Sequence, residues 1–150
     1  MIGCSSAPED PCTRFFEPYP DLVSGRMRHR QNAALVDAMK AYSAGDHATA
    51  ITGLERYMEQ GAEGRSDARI YLASSYLAVG RPYDAEFQLD QLERSPNKSF
   101  AEVVEWYDAL CWLCSGQFGR ALEQARSIAA RPRHTYKEQA VALMEDLEGR

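Results

Sequence analysis

Cys111 and Cys114 stand three residues apart in AEVVEWYDALCWLCSGQFGRALEQA, residues 101–125. That C-x-x-C spacing serves thiol–disulfide exchange, or zinc binding when a second pair or a histidine pair completes it. Redox chemistry needs a stabilised thiolate, which a helix N-terminus or a neighbouring cation supplies. Both cysteines instead fall toward the C-terminal end of an expected helix. No second pair stands at zinc spacing, and His29, His47 and His134 lie far apart along the chain. Free cysteine is among the most buried residue types, so core packing is the preferred reading of both. A thiol-based redox protein using the pair is the alternative, and neither a metal nor a cofactor is expected.

Other chemistry is equally sparse. No G-x-S-x-G, H-E-x-x-H, G-x-G-x-x-G or phosphate-loop pattern is present, so no catalytic residue is assigned and no enzyme is expected. Glu102, Glu105 and Asp108 recur every third residue, as on a solvated helix stripe. RMRHR at 26–30 is the one basic cluster; an exposed linker is preferred there over contact with anionic headgroups. With 22 acidic and 17 basic side chains the net charge is −5, without the basic stripe of a nucleic-acid binder. No apolar run approaches the ~18 residues that cross a bilayer.

The first residues, MIGC, resemble the end of a bacterial lipoprotein signal. Gly3 is the small residue and Cys4 the expected site of lipid attachment. The basic and apolar stretches of a full signal would lie before Met1. The alternative is an unstructured N-terminus of a cytosolic protein.

The elements that position these residues follow from punctuation. Pro8, Pro11, Pro18 and Pro20 disfavour helix in the first 30 residues. Residues 1–12 are expected to be a flexible tether. Residues 13–25, bearing Phe15, Phe16 and Tyr19, are expected to form an extended arm that docks its rings on the body. From residue 31 apolar residues recur at three and four between short breaks, and seven helices are expected in an all-α chain.

The breaks repeat. Gly45, Gly80 and Gly116 are separated by 35 and 36 residues, and the same intervals separate Ala38, Ala73 and Ala109. They recur for Ala50, Ala85 and Ala121, for Leu54, Leu89 and Ala125, and for Tyr57, Leu92 and Ile128. Small residues mid-way along one helix and early in the next let paired axes approach closely, and the glycine turns the corner. Asp37 and Asp108 share a column with Leu72, for which the pattern offers no reason. Two helices per unit at a period near 34 resembles the tetratricopeptide repeat. That resemblance implies a right-handed superhelix of three hairpins, at about 31–64, 66–99 and 102–134. A capping helix follows at 135–148, with Tyr136, Ala140, Leu143 and Leu147 on one face.

RFFEPYPDLVSGR, AMKAYSAGDHATAI and VEWYDAL together resemble a narrower group, the envelope-associated repeat proteins of Bacteroidetes-type bacteria, in which an N-terminal membrane anchor precedes the repeats. The resemblance implies protein–protein binding without catalysis, favours a periplasm-facing lipoprotein, and makes a cytosolic regulatory or assembly module the runner-up. Chaperone-binding members of the repeat family share a carboxylate clamp of Lys, Asn and Arg. The matching positions here hold Leu35, Met39, Tyr71, Val103 and Tyr107, which cannot grip a terminal carboxylate. Leu35, Met39, Tyr42, Ile70, Tyr71, Ser74, Trp106, Tyr107 and Leu110 are instead expected to line an apolar, aromatic concave groove for a protein or peptide segment. The chain's own arm and capping helix are the competing occupants.

Overall fold

A computed structural model describes residues 9–61 and 65–150, so the lipid-attachment site expected at Cys4 lies outside the described residues. The described residues form eight helices and no strand: α1 (Pro11–Phe15), α2 (Ala33–Ser43), α3 (His47–Glu59), α4 (Arg65–Ala78), α5 (Pro82–Arg94), α6 (Ala101–Cys114), α7 (Phe118–Ala129) and α8 (Lys137–Glu148). Helices α2/α3, α4/α5 and α6/α7 pair as hairpins, each hairpin packs on the next, and α8 closes the stack against α7. The result is a superhelix of helical hairpins.

The repeated glycines turn equivalent corners. Gly45, Gly80 and Gly116 have φ of 79°, 77° and 78°, the left-handed region that a Cβ disfavours. The following N–H reaches back five residues each time: Asp46 to the Ala41 carbonyl at 2.9 Å, Arg81 to Tyr76 at 2.8 Å, and Gln117 to Trp112 at 2.7 Å. These bonds satisfy carbonyls that the helix end leaves open, and fix the same exit direction three times. Asp46 then caps α3 through Thr49 N–H at 3.2 Å, and Pro82 starts α5 where no N–H is needed.

The alanine columns sit at the points of closest approach. Ala73, Ala109, Ala50, Ala85 and Ala121 are fully buried. At Gly53 a Cβ would lie 2.8 Å from the Ala38 Cβ, so α2 and α3 cross with no room for a side chain. Leu54, Leu89, Ala125 and Ile128 continue the core, which Ala140 and Leu143 of α8 close.

The eighth helix is α1, within the segment read as tether and arm. Asp10 caps it by accepting from Thr13 N–H at 3.2 Å, and Pro11 occupies its first turn. The backbone becomes extended from Phe16 onward, where Pro18 and Pro20 prevent helix.

Candidate functional site

The expected groove residues come from the first helix of each hairpin: Leu35, Met39 and Tyr42 from α2, Ile70, Tyr71 and Ser74 from α4, and Trp106, Tyr107 and Leu110 from α6. All nine are buried. Leu35, Met39, Ile70 and Leu110 belong to the core beneath the groove. Trp106 stacks on Tyr136 at the head of α8, with ring centroids 5.8 Å apart and 11° between planes. The other four carry polar groups that meet the chain's own arm.

Three tyrosines, one from each hairpin, hold the arm by its main chain. Tyr107 Oη donates to the Glu17 carbonyl at 2.7 Å, Tyr42 Oη to the Tyr19 carbonyl at 2.5 Å, and Tyr71 Oη to the Pro20 carbonyl at 3.0 Å. In return Tyr19 N–H donates to Ser74 Oγ, and Leu22 N–H to Tyr71 Oη, both at 2.9 Å. Pro18 and Pro20, both exposed, flank the half-buried Tyr19 and bring no N–H to the track. Burial pushes the pKa of all three phenols up, that of Tyr71 to about 12, so the hydroxyls keep the protons they donate.

The Tyr19 ring fills the centre of the groove. Its centroid lies 5.8 Å from Tyr71, 6.2 Å from Tyr107 and 6.4 Å from Phe100, a residue not foreseen as part of the site. Further on, the Asp21 carboxylate receives the N–H groups of Val23 and Ser24 at 2.9 Å and the hydroxyls of Ser24 and Ser43. Burial opposes the charge on Asp21, yet the hydrogen bonds from Ser24 and Ser43 still hold its carboxyl below the usual range. Val23 then enters the core at 1% exposure.

The arm's ends are fastened as well. Cys12 is disulfide-bonded to Cys114, with Cα atoms 4.8 Å apart. This corrects the reading of Cys114 as a packing residue and of the C-x-x-C as a unit. Cys114 is the last residue of α6, where α1 docks, and its partner lies 102 residues away. Cys111 is a free, buried thiol that burial pushes well above its ordinary value, the opposite of a reactive thiolate. Arg14 pairs with Asp146 of α8 at 2.6 Å. Two arginines of the basic cluster are engaged within the fold: Arg26 pairs with Asp67 at 2.8 Å, and Arg28 grips Asp37 with two bonds of 3.0 Å. That contact explains Asp37 in its repeat column.

Hairpins of constant geometry, lined on one side by residues that bond an extended segment, define a helical-repeat interaction module. The chain belongs to the tetratricopeptide-repeat family, whose model, described as Tetratrico peptide repeat, matches residues 31–145. Neither a search of curated proteins nor one of solved structures returned a match. Repeats of this family typically form non-catalytic scaffolds that bind other proteins or peptides.

Proposed function

We propose that this protein is a non-catalytic adaptor of the bacterial cell envelope whose concave groove grips an extended protein segment, with its own N-terminal arm as the resident occupant. The observation that supports this reading is the set of three tyrosine hydroxyls on the arm's carbonyls. Bonds to main-chain atoms are made by any extended chain, so the track is suited to peptides in general. Specificity then rests on the central aromatic site now filled by Tyr19 and on tolerance for prolines that bring no unsatisfied N–H. A partner segment of the same character, an aromatic residue flanked by prolines, enters as the arm leaves.

The envelope location rests on two further features. A disulfide such as Cys12–Cys114 persists in oxidising compartments and is rare in the cytosol. Cys4 after Ile2 and Gly3 fits lipid attachment, as in the envelope-associated repeat proteins that the arm and repeats resemble. An anchor at Cys4 would hold the groove close to the membrane, since few residues separate it from Cys12.

The test uses a synthetic peptide of residues 13–25 and the full-length protein. A variant with Cys12→Ser and Tyr19→Ala, whose own arm is loosened, is expected to bind the peptide saturably. The intact protein binds it at least about tenfold more weakly, because the tethered arm competes. Adding Tyr71→Phe and Tyr107→Phe to the loosened variant removes binding while the helical spectrum is kept. A loosened but folded variant that takes no peptide would contradict the reading.

A further inference from the structure

The arm is fastened to the body on both sides of the stretch that fills the groove. Cys12 is bonded to Cys114 at the end of α6, and eleven positions later Val23 is buried in the core at 1% exposure. Between these fixed points lie Glu17, Tyr19, Pro20 and Leu22, whose main chain meets Tyr107, Tyr42, Ser74 and Tyr71. A closed strap therefore crosses the groove. A segment from outside would have to pass beneath it, and a displaced arm stays tied within reach of its own seat.

The two fastenings differ in kind. Val23 is held by packing, and the chain beyond it runs on into α2. The other end depends on one covalent bond. Helix α1 is five residues long, too short to persist by its own hydrogen bonds. Its ion pair with Asp146 leaves the Arg14 side chain 54% exposed, and exposed pairs contribute little. The bond from the Arg150 guanidinium to the Glu9 carbonyl, at 3.2 Å, is exposed as well. Phe15 and Phe16 are only partly buried. The hairpins pack on one another through α2 to α8, without α1. Opening the disulfide therefore unties the strap and leaves the superhelix standing.

We propose that the Cys12–Cys114 disulfide is a redox latch on the groove: intact, it keeps the arm seated; reduced by a dithiol, it lets the arm swing out about Val23 and a partner segment enter. This regulation rests on the peptide-binding reading given above. Neither cysteine is fully buried. A thiolate of the dithiol attacks one sulfur of the bond, the S–S bond breaks and a mixed disulfide forms. The other cysteine leaves as a thiolate and takes a proton from water. The second thiol of the reductant, once deprotonated, displaces the remaining protein sulfur, which is protonated in turn, and closes the reductant's own disulfide. Two electrons pass from the dithiol to the two cysteines. Cys111, at 1% exposure, takes no part. In an oxidising compartment the latch is closed at rest.

The test follows amide hydrogen exchange of the full-length protein before and after treatment with dithiothreitol, at Tyr19 and Leu22 and, for reference, at Leu72 and Leu89 in the hairpins. Reduction is expected to speed exchange at Tyr19 and Leu22 at least about tenfold and to leave the reference amides slow. Re-oxidation restores protection, and Cys111→Ser changes neither result. In the Tyr19→Ala variant, whose seat is weakened but whose disulfide is kept, the peptide of residues 13–25 is expected to bind at least about tenfold more tightly after reduction than before. Faster exchange with no peptide bound in either state supports the latch and contradicts the peptide-binding reading. Unchanged exchange at Tyr19 and Leu22, equal and measurable peptide affinity in the two states, or loss of protection at the reference amides would overturn the latch.

Discussion

Cys12 and Cys114 are bonded across 102 residues of sequence, so one covalent link closes the N-terminal arm onto the end of α6. Cross-linking so long a loop removes freedom chiefly from the unfolded chain. Replacing both residues by Ser is expected to lower stability by about 4 kcal/mol at 25 °C on the chain-entropy account, read as a shift of the urea midpoint. Cys111→Ser leaves the bridge intact. Peptide mapping under non-reducing conditions is expected to recover the Cys12–Cys114 pair, with Cys111 alkylated only after unfolding.

The three tyrosine hydroxyls should be separable from their rings. Tyr107→Phe and Tyr71→Phe keep the packing and remove one donor each, leaving a half-buried arm carbonyl unpaired. Each is expected to cost about 1 kcal/mol. Tyr71→Phe costs the more, because Tyr71 Oη also accepts from Leu22 N–H. Chemical denaturation of the single and double variants checks the ranking.

One substitution should have opposite signs at two glycines. Gly80→Ala forces a Cβ into φ +77° and is expected to destabilise by about 1 kcal/mol, although nothing lies within 4 Å of the new atom. Gly119→Ala, inside α7 and also with open space around it, is expected to stabilise by up to about 1 kcal/mol through helix propensity. Thermal midpoints of the two variants, moving in opposite directions, check the claim.

Asp108 makes stability fall as pH rises. Burial, and then the neighbouring Glu93, Asp90 and Glu86 of α5, push its carboxyl up to about 8, with Arg120 of α7 opposing weakly. The native state therefore keeps a proton that the unfolded chain has already lost. Its contribution is fully present below the unfolded value near 4 and is lost as pH rises through about 8. Asp108→Leu is expected to flatten that part of the profile and to be more stable than the parent at pH 8. Urea midpoints between pH 5 and pH 9 provide the measurement.

The fold was readable in the sequence because each repeat column answers a local demand. A glycine is needed where φ is positive, an alanine where two axes meet, and a proline where a helix starts without an N–H. Of the nine residues expected in the groove, the register placed Tyr42, Tyr71, Ser74 and Tyr107 against the arm. Leu35, Met39, Ile70 and Leu110 on the same helices sink into the core, because register alone does not separate a groove wall from the layer beneath it. The disulfide was not legible. Its two cysteines lie 102 residues apart, and the nearer C-x-x-C spacing pointed to Cys111 as the natural companion of Cys114. Only the docking of α1 beside the end of α6 brings Cys12 within bonding distance. The helix α1 left a signal that prolines obscured: Asp10 before Pro11 is an N-cap followed by a first-turn proline. Arg28 looked like exposed linker charge and Asp37 had no reason in its repeat column, because their pairing depends on how the linker folds back on α2.

The arm's seat in the groove is tested most directly by amide hydrogen exchange at Tyr19 and Leu22 in the full-length protein. Neither residue lies in a helix, yet their N–H groups donate to Ser74 and to Tyr71. Both amides are expected to exchange far more slowly than in a free chain, and to lose that protection together when Tyr42, Tyr71 and Tyr107 are all replaced by Phe. Exchange at free-chain rates in the intact, oxidised protein would contradict a groove occupied by its own arm.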